Sequence, residues 1–117
     1  MSIRTVATVP HPAGLDISSS ALAAADVAGD SFPNAGGHAK LIAENSSGGT
    51  LHITVDSPRA DNFGFSGNAL DVTLTVAAGK TMIFGPFPAN RHNDNNERVQ
   101  LAYPDGVTGL KIKLVAM

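Results

Sequence analysis

Most of the chain after residue 38 alternates between apolar and polar residues with a period of two. In one clear example, Leu51, Ile53 and Val55 alternate with His52 and Thr54. Successive side chains of a β-strand point to opposite faces, so this pattern is typical of strands with one dry and one wet face. Together with the turn residues between the runs, it predicts strands over residues 38–45, 50–56, 70–76, 80–84, 98–103 and 110–114.

Turn residues separate these strands. Residues 46–49 are Ser-Ser-Gly-Gly, and residues 104–106 are Pro-Asp-Gly, in which Pro presets φ and Gly tolerates a left-handed backbone. Strands with one wet face suit antiparallel pairing. The sequence therefore predicts an all-β fold, a single antiparallel β-sandwich that is jelly-roll-like. Within it, 38–45 and 50–56 are expected to form a hairpin, with inward Ala43 opposite inward Leu51.

The N-terminal residues carry weaker signals. Residues 1–20 predict an N-terminal arm or edge strand, with a strand over 4–9 that ends at Pro10 and Pro12. This arm holds few apolar residues. We therefore expect it to lie against a neighbouring subunit.

Two segments lie between the arm and the first clear strand. Residues 20–28 fit either a short helix, capped by Ser20 and stopped by Gly29, or an irregular connection. Residues 29–37 are rich in turn formers and favour a loop that Phe32 attaches to the core.

Size and composition exclude several classes of protein. At 117 residues, we expect residues 1–117 to form one domain. The net charge is −2 and the 8 Lys and Arg are scattered singly, which argues against nucleic-acid binding. Apolar stretches are far shorter than the roughly 20 residues of a membrane span. The start lacks the pattern of a secretory signal, so we expect synthesis in the cytoplasm. The absence of cysteine excludes disulfides and thiolate chemistry.

Candidate catalytic residues lack the context that catalysis requires. Ser66 comes nearest to a G-x-S-x-G nucleophile turn, but its glycine spacing is wrong by one. In the expected hairpin, His38 and His52 are about 13–14 Å apart, at about 3.4 Å per residue. Zinc ligands lie about 2 Å from the ion, so these two cannot share one. His11 and His92 are expected in solvated loops. We therefore expect no enzyme, no metal and no cofactor.

The most polar stretch is residues 90–97, Asn-Arg-His-Asn-Asp-Asn-Asn-Glu. Its oxygens could hold calcium, but it lacks the acid spacing and the central Gly of an EF-hand loop. We expect a solvated loop, in which Arg91, His92 and Asn93 are candidates for contact with a partner.

Two phenylalanines, Phe63 and Phe65, form a second candidate partner site with Arg59. They either cap the core or insert into a partner, because aromatic residues and Arg are enriched at protein interfaces. Sugar-binding surfaces need exposed aromatic rings, yet the chain has no Trp, and its Tyr103 is expected to point inward. Phe63 and Phe65 are the exception, so a carbohydrate-binding or host-surface-binding module is kept as the alternative function.

Two short segments resemble a known family. Residues 29–34, Gly-Asp-Ser-Phe-Pro-Asn, and residues 85–88, Gly-Pro-Phe-Pro, are similar to segments of small tailed-phage virion proteins. The wider pattern includes 44–46, 76–81, the strand 98–103 and a C-terminal strand, and it covers about residues 22–116. The polar stretch 90–97 departs from that pattern. The prolines of 85–88 also have a structural reading, in which they end a strand and hold Phe87 on the core.

The resemblance implies a capsid decoration (cement) protein that binds the outer capsid lattice and carries no catalytic residues. The implied partners are the major capsid protein and further copies of this chain, with a trimer as one arrangement. A tail or neck component of the same particle would look similar. Since packaged DNA repels an acidic protein, the outer capsid surface is the expected location, after synthesis in the host cytoplasm.

Overall fold

The computed structural model describes residues 2–8, 14–58 and 71–116, which form two sheets packed face to face. The first sheet has the order β1-β4-β9-β6-β7, with bounds Ser2–Ile3, Asp30–Pro33, Arg98–Ala102, Leu51–Val55 and Val72–Val76. The second has the order β2-β10-β5-β8, with bounds Val6–Thr8, Leu110–Ala116, Ala39–Asn45 and Thr81–Phe84. A short strand β3, Ala23–Ala24, also pairs with β10.

The helical elements among these residues are short. They are α1, Ala89–His92, and two 3-10 turns over Ser19–Ala21 and Ala35–Gly37. None of the helices in the described parts of the chain has the length and apolar character needed to span a membrane.

The predicted all-β sandwich is confirmed. Inward side chains of both sheets form one apolar core, in which Leu41, Ile53 and Leu114 are at most 1% exposed. Most strand pairs are antiparallel, as the single wet faces indicate. The exceptions are β1 with β4 and β2 with β10, which are parallel and lie at the outer edges of the two sheets. Both sheets are therefore mixed.

The expected hairpin between 38–45 and 50–56 is wrong. β5 lies in the second sheet between β10 and β8, whereas β6 lies in the first between β9 and β7. The alternation could not reveal this, because both sheets turn their dry faces to the same core. Ala43 and Leu51 are both buried in either arrangement. Asn45 stabilises the connection by which the chain passes from β5 in one sheet to β6 in the other. Its side-chain amide donates to the carbonyls of Gly49, at 2.7 Å, and Val76, at 2.9 Å.

Residues 29–37, expected as a loop, contain the strand β4. Asp30, Ser31 and Phe32 are each buried, since β4 pairs with β1 on one side and β9 on the other. Tertiary pairing has overridden the turn preference of these residues. The alternative helix over 20–28 is also wrong, because the chain there forms the end of a 3-10 turn followed by β3.

A small second apolar cluster lies on the outer face of the second sheet. Ile42 and Val115 point away from the main core but are each 2% exposed, because Leu22 and Leu15 cover them. The segment before β3 is thereby held against its own chain. In the same way, β1 and β2 place residues 2–8 along the edges of their own sheets.

The two distinctive segments of the sequence, residues 29–34 and 85–88, meet in the core. The rings of Phe32 and Phe87 lie 5.7 Å apart. The Asn34 side-chain amide donates to the Phe87 carbonyl at 2.9 Å and to Asn93 Oδ1 at 2.8 Å. Asn34 Oδ1 accepts from the Ala39 amide at 3.1 Å. Both segments are therefore parts of one buried contact, and Phe87 is held on the core as its structural reading predicts.

We predict that Asn34→Ala lowers the free energy of unfolding by about 2–3 kcal/mol, because buried partners lose their hydrogen bonds. Urea unfolding followed by circular dichroism measures this change. Exposed Asn95→Ala is the matched control, with a change within about 0.5 kcal/mol. Equal stability of the two variants would contradict the structural role of Asn34.

Candidate functional site

The six residues predicted to contact a partner fall into two groups. Arg59, Phe63 and Phe65 lie outside the described residues, as do Ser66 and His11. The other three lie in or next to the short helix α1. Arg91 is half-buried there, and His92 and Asn93 are each only 4% exposed. The expectation of a solvated loop is wrong for His92 and Asn93.

The surroundings of His92 and Asn93 explain their burial. The His92 ring lies edge-on to Phe87 at 6.0 Å, and its Nδ1 is 2.9 Å from the Asp56 carbonyl oxygen. Asn93 donates to the Asn34 carbonyl at 2.9 Å. These two side chains join α1 to the core, so in this structure they are not exposed for contact with a partner.

The rest of the polar stretch closes a turn around Asp94. Its carboxylate accepts from the amides of Asn96 at 2.8 Å and Arg98 at 3.1 Å, and from the Gln100 side chain at 2.7 Å. Burial opposes ionisation, but these hydrogen bonds outweigh it and lower the pKa of Asp94. Its oxygens thus serve as acceptors within the protein. Among the described residues, no group of three or more His, Asp or Glu is arranged to hold a metal.

A groove of about 490 Å³ crosses the outer face of the first sheet. Thr54 of β6 and Ala102 of β9 are register partners on this face. The groove is also lined by residues of the connection before β4, by the β9 residue Gln100 and by two carboxyl groups, and this lining includes Val27, Ala28, Asp56 and Asp71. It therefore combines apolar and polar groups within the reach of one small ligand.

The carboxyl pair, Asp56 and Asp71, brackets the connection between β6 and β7. Asp71 Oδ1 accepts from the Ser57 amide at 2.8 Å. Burial raises the pKa of Asp56, and the charge of Asp71 and a hydrogen bond between the two carboxyl groups raise it further. Carboxyl oxygens accept hydrogen bonds from hydroxyl and amide groups. The pair can therefore bind a ligand that carries such donors.

Sequence reasoning missed this pair. Asp56 ends the predicted strand 50–56, and Asp71 lies near the start of the predicted strand 70–76. Their closeness follows once these two strands are neighbours, since β6 and β7 pair with Val55 opposite Val72. The expected hairpin of 38–45 with 50–56 concealed this relation.

The second candidate surface, the open edge, consists of β7 and β8, the last strands of the two sheets in the described chain. The Lys80 carbonyl accepts from the Asn45 amide at 2.9 Å. Hydrogen-bonded positions recur at every second residue of an antiparallel pair. The backbone groups of Thr81 and Ile83 therefore point away from β5. Met82 is 41% exposed and Ile83 56% exposed, and neither strand contains a charged residue.

Comparisons with known proteins add no relative: no family model matches the chain, and neither curated proteins nor solved structures contain a match.

We predict that Asp56→Asn raises the melting temperature at pH 7–8 and that this gain shrinks as the pH falls towards 4. The folded-state pKa of Asp56 is raised, so its stabilising contribution is present at low pH and is lost as the pH rises through that pKa. Above it, the wild type holds two adjacent charges, which Asn removes without a change of shape. Thermal unfolding at several pH values measures the difference.

Asp16→Asn is the control for this experiment. Hydrogen bonds from Ser18 lower the pKa of Asp16, so the same substitution there should give no gain at neutral pH. If Asp56→Asn melts below the wild type at pH 7–8, the raised pKa of Asp56 is wrong.

Proposed function

We propose that this chain is a structural protein of a tailed-phage particle, a decoration (cement) subunit that binds the outside of the capsid and stabilises it. The open edge is the observation that carries the proposal. The family resemblance of residues 29–34 and 85–88 supports it. The partners are the major capsid protein and sister copies of this chain.

The open edge suits docking by strand addition. Backbone amides and carbonyls at Thr81 and Ile83 can pair with an extended segment of another protein, as unpaired sheet edges do. Natural edges are commonly protected by charged residues or prolines within the strand. β7 and β8 contain neither. Exposed Met82 and Ile83 add apolar contact on the two faces of the edge.

The free energies involved indicate that a single edge contact of this kind is weak. Each net hydrogen bond contributes about 1 kcal/mol, and complete burial of Ile83 about 1–2 kcal/mol. Association also costs rotational and translational freedom. A few kcal/mol corresponds to a millimolar dissociation constant. Tight attachment therefore requires several contacts per subunit, such as a capsid lattice and sister copies provide together.

Charge supports the outer surface of the capsid as the location. The chain carries 10 Asp and Glu against 8 Lys and Arg. Packaged DNA is a dense array of phosphates, and a protein of this sign gains nothing from contact with it. Contact with capsid protein through an uncharged edge carries no such penalty.

The groove favours a second candidate function, the binding of carbohydrate or another host-surface ligand. Carboxyl, amide and hydroxyl groups of Asp56, Asp71, Gln100 and Thr54 can bond to sugar hydroxyls, while Val27 offers an apolar contact. This surface lies on the outer face of the first sheet, whereas the exposed Met82 and Ile83 of the open edge belong to β8 in the second sheet.

We predict that Ile83→Lys lowers the apparent affinity for purified expanded capsids at least about tenfold, the equivalent of 1.4 kcal/mol. A charge on the open edge must lose water when the edge is covered. Co-sedimentation with capsids measures binding, and the wild type should also raise the melting temperature of the capsids.

Val27→Lys is the matched control, since Val27 is 72% exposed and lies at the groove instead of the edge. It should leave capsid binding unchanged. Loss of binding with Val27→Lys but not Ile83→Lys would place docking at the groove. Glycan-array binding by the wild type without capsid binding would replace the proposed function by the second one.

A further inference from the structure

Asp30 is a fully buried carboxylate at the start of β4. Its Oδ1 accepts from Arg4 Nε at 2.6 Å. Its Oδ2 accepts from the Asp26 amide at 3.1 Å and from the Tyr103 hydroxyl. A buried charge is costly unless a counter-ion and hydrogen bonds compensate it. The guanidinium of Arg4 is therefore a requirement of this site and not an accessory.

The residue that meets this requirement, Arg4, lies in residues 2–8, the first described part of the predicted N-terminal arm, and the arm means these residues from here on. The Ser2 amide donates to the Gly29 carbonyl at 3.1 Å, and the Arg4 amide to the Ser31 carbonyl at 2.6 Å. Arg4 also donates from Nη2 to the Ala24 carbonyl at 2.7 Å, and the Ser2 hydroxyl donates to Asp26 at 2.7 Å. These contacts define a slot that binds an extended backbone and one arginine side chain. The slot is lined by Ala24, Asp26, Gly29, Asp30 and Ser31.

The arm contributes little to the apolar core. Ile3 is 62% exposed, and Val6 is only partly buried against the core cluster. Both arm strands lie at the outer ends of their sheets, so removal of the arm breaks no pairing between interior strands. The arm is therefore held by directional polar contacts, which any chain with the same sequence can make equally well.

We propose that the slot is a binding site for the arm of a second copy of this chain, so that neighbouring copies exchange residues 2–8. The occupant is identified by fit: an extended segment with arginine opposite Asp30 and serine opposite Asp26. Because an empty slot leaves Asp30 without its cation, a copy whose own arm is displaced takes up the arm of a neighbour. Exchange costs no contacts, and it is favoured at high local concentration.

This inference goes beyond the proposed function, because it concerns copies of the chain alone. Its test uses no capsid, so its failure and the failure of capsid binding are separate results.

Single-cysteine variants of the full chain test the exchange, since the natural sequence contains no cysteine. Ser2→Cys and Asp26→Cys place thiols at two neighbouring positions, where the natural side chains are joined by a hydrogen bond of 2.7 Å. The variants are mixed over a range of concentrations and oxidised, and the mixed disulfide is quantified by mass spectrometry. We expect it to exceed, by about tenfold or more, the background from Asn95→Cys mixed with Asp26→Cys. We also expect Arg4→Ala, introduced into the Ser2→Cys chain, to abolish the excess.

The double variant, Ser2→Cys with Asp26→Cys, checks the slot itself, because at low concentration it should form the disulfide within one chain. Mixed disulfide at the background level at every concentration would overturn the exchange. Failure of the double variant to form an internal disulfide would overturn the slot on which the exchange rests.

Discussion

The burial of two dry sheet faces against each other is the interaction on which the rest of this molecule depends. Inward side chains such as Leu41, Ile53 and Leu114 are almost completely removed from water. Each contributes about 1.5–3 kcal/mol of burial, which offsets the large entropy cost of ordering the chain. The inward side chains of the strands are buried in this core. Only the outer faces, the strand edges and the connections can therefore contact a ligand or another protein.

Buried polar groups determine how the strands are connected across that core. Asp30, Asn34 and Asn45 are each at most 2% exposed, and each bonds to partners distant in sequence. Asn34 joins β4 to the segment before α1, and Asn45 joins the end of β5 to the end of β7. Such bonds add little net stability when satisfied but are costly to break, so they select one arrangement of the strands over others.

Three surfaces follow from this architecture, and they differ in chemistry. The open edge, as the described residues form it, presents backbone groups without a neighbouring strand together with apolar side chains, and it suits an extended protein segment. The groove presents carboxyl and amide groups, and it suits a small polar ligand. The slot at Asp30 demands a cation, so its specificity is electrostatic. The proposals of docking, ligand binding and exchange between copies therefore depend on different residues, and separate substitutions can test them.

The alternation of residues was sufficient to predict the fold class and most strands of the described chain, because a half-buried strand must separate apolar from polar positions. It also predicted correctly that Tyr103 points inward, and the two prolines of residues 85–88 indicated the same for Phe87. It could not assign strands to sheets, since β5 and β6 show the same dry face whichever sheet holds them. The burial of Asp30, His92 and Asn93 was equally out of reach. Those polar residues are buried only because Arg4, Asp56 and Asn34, far away in sequence, supply their hydrogen bonds, and such partners exist only once the chain has folded.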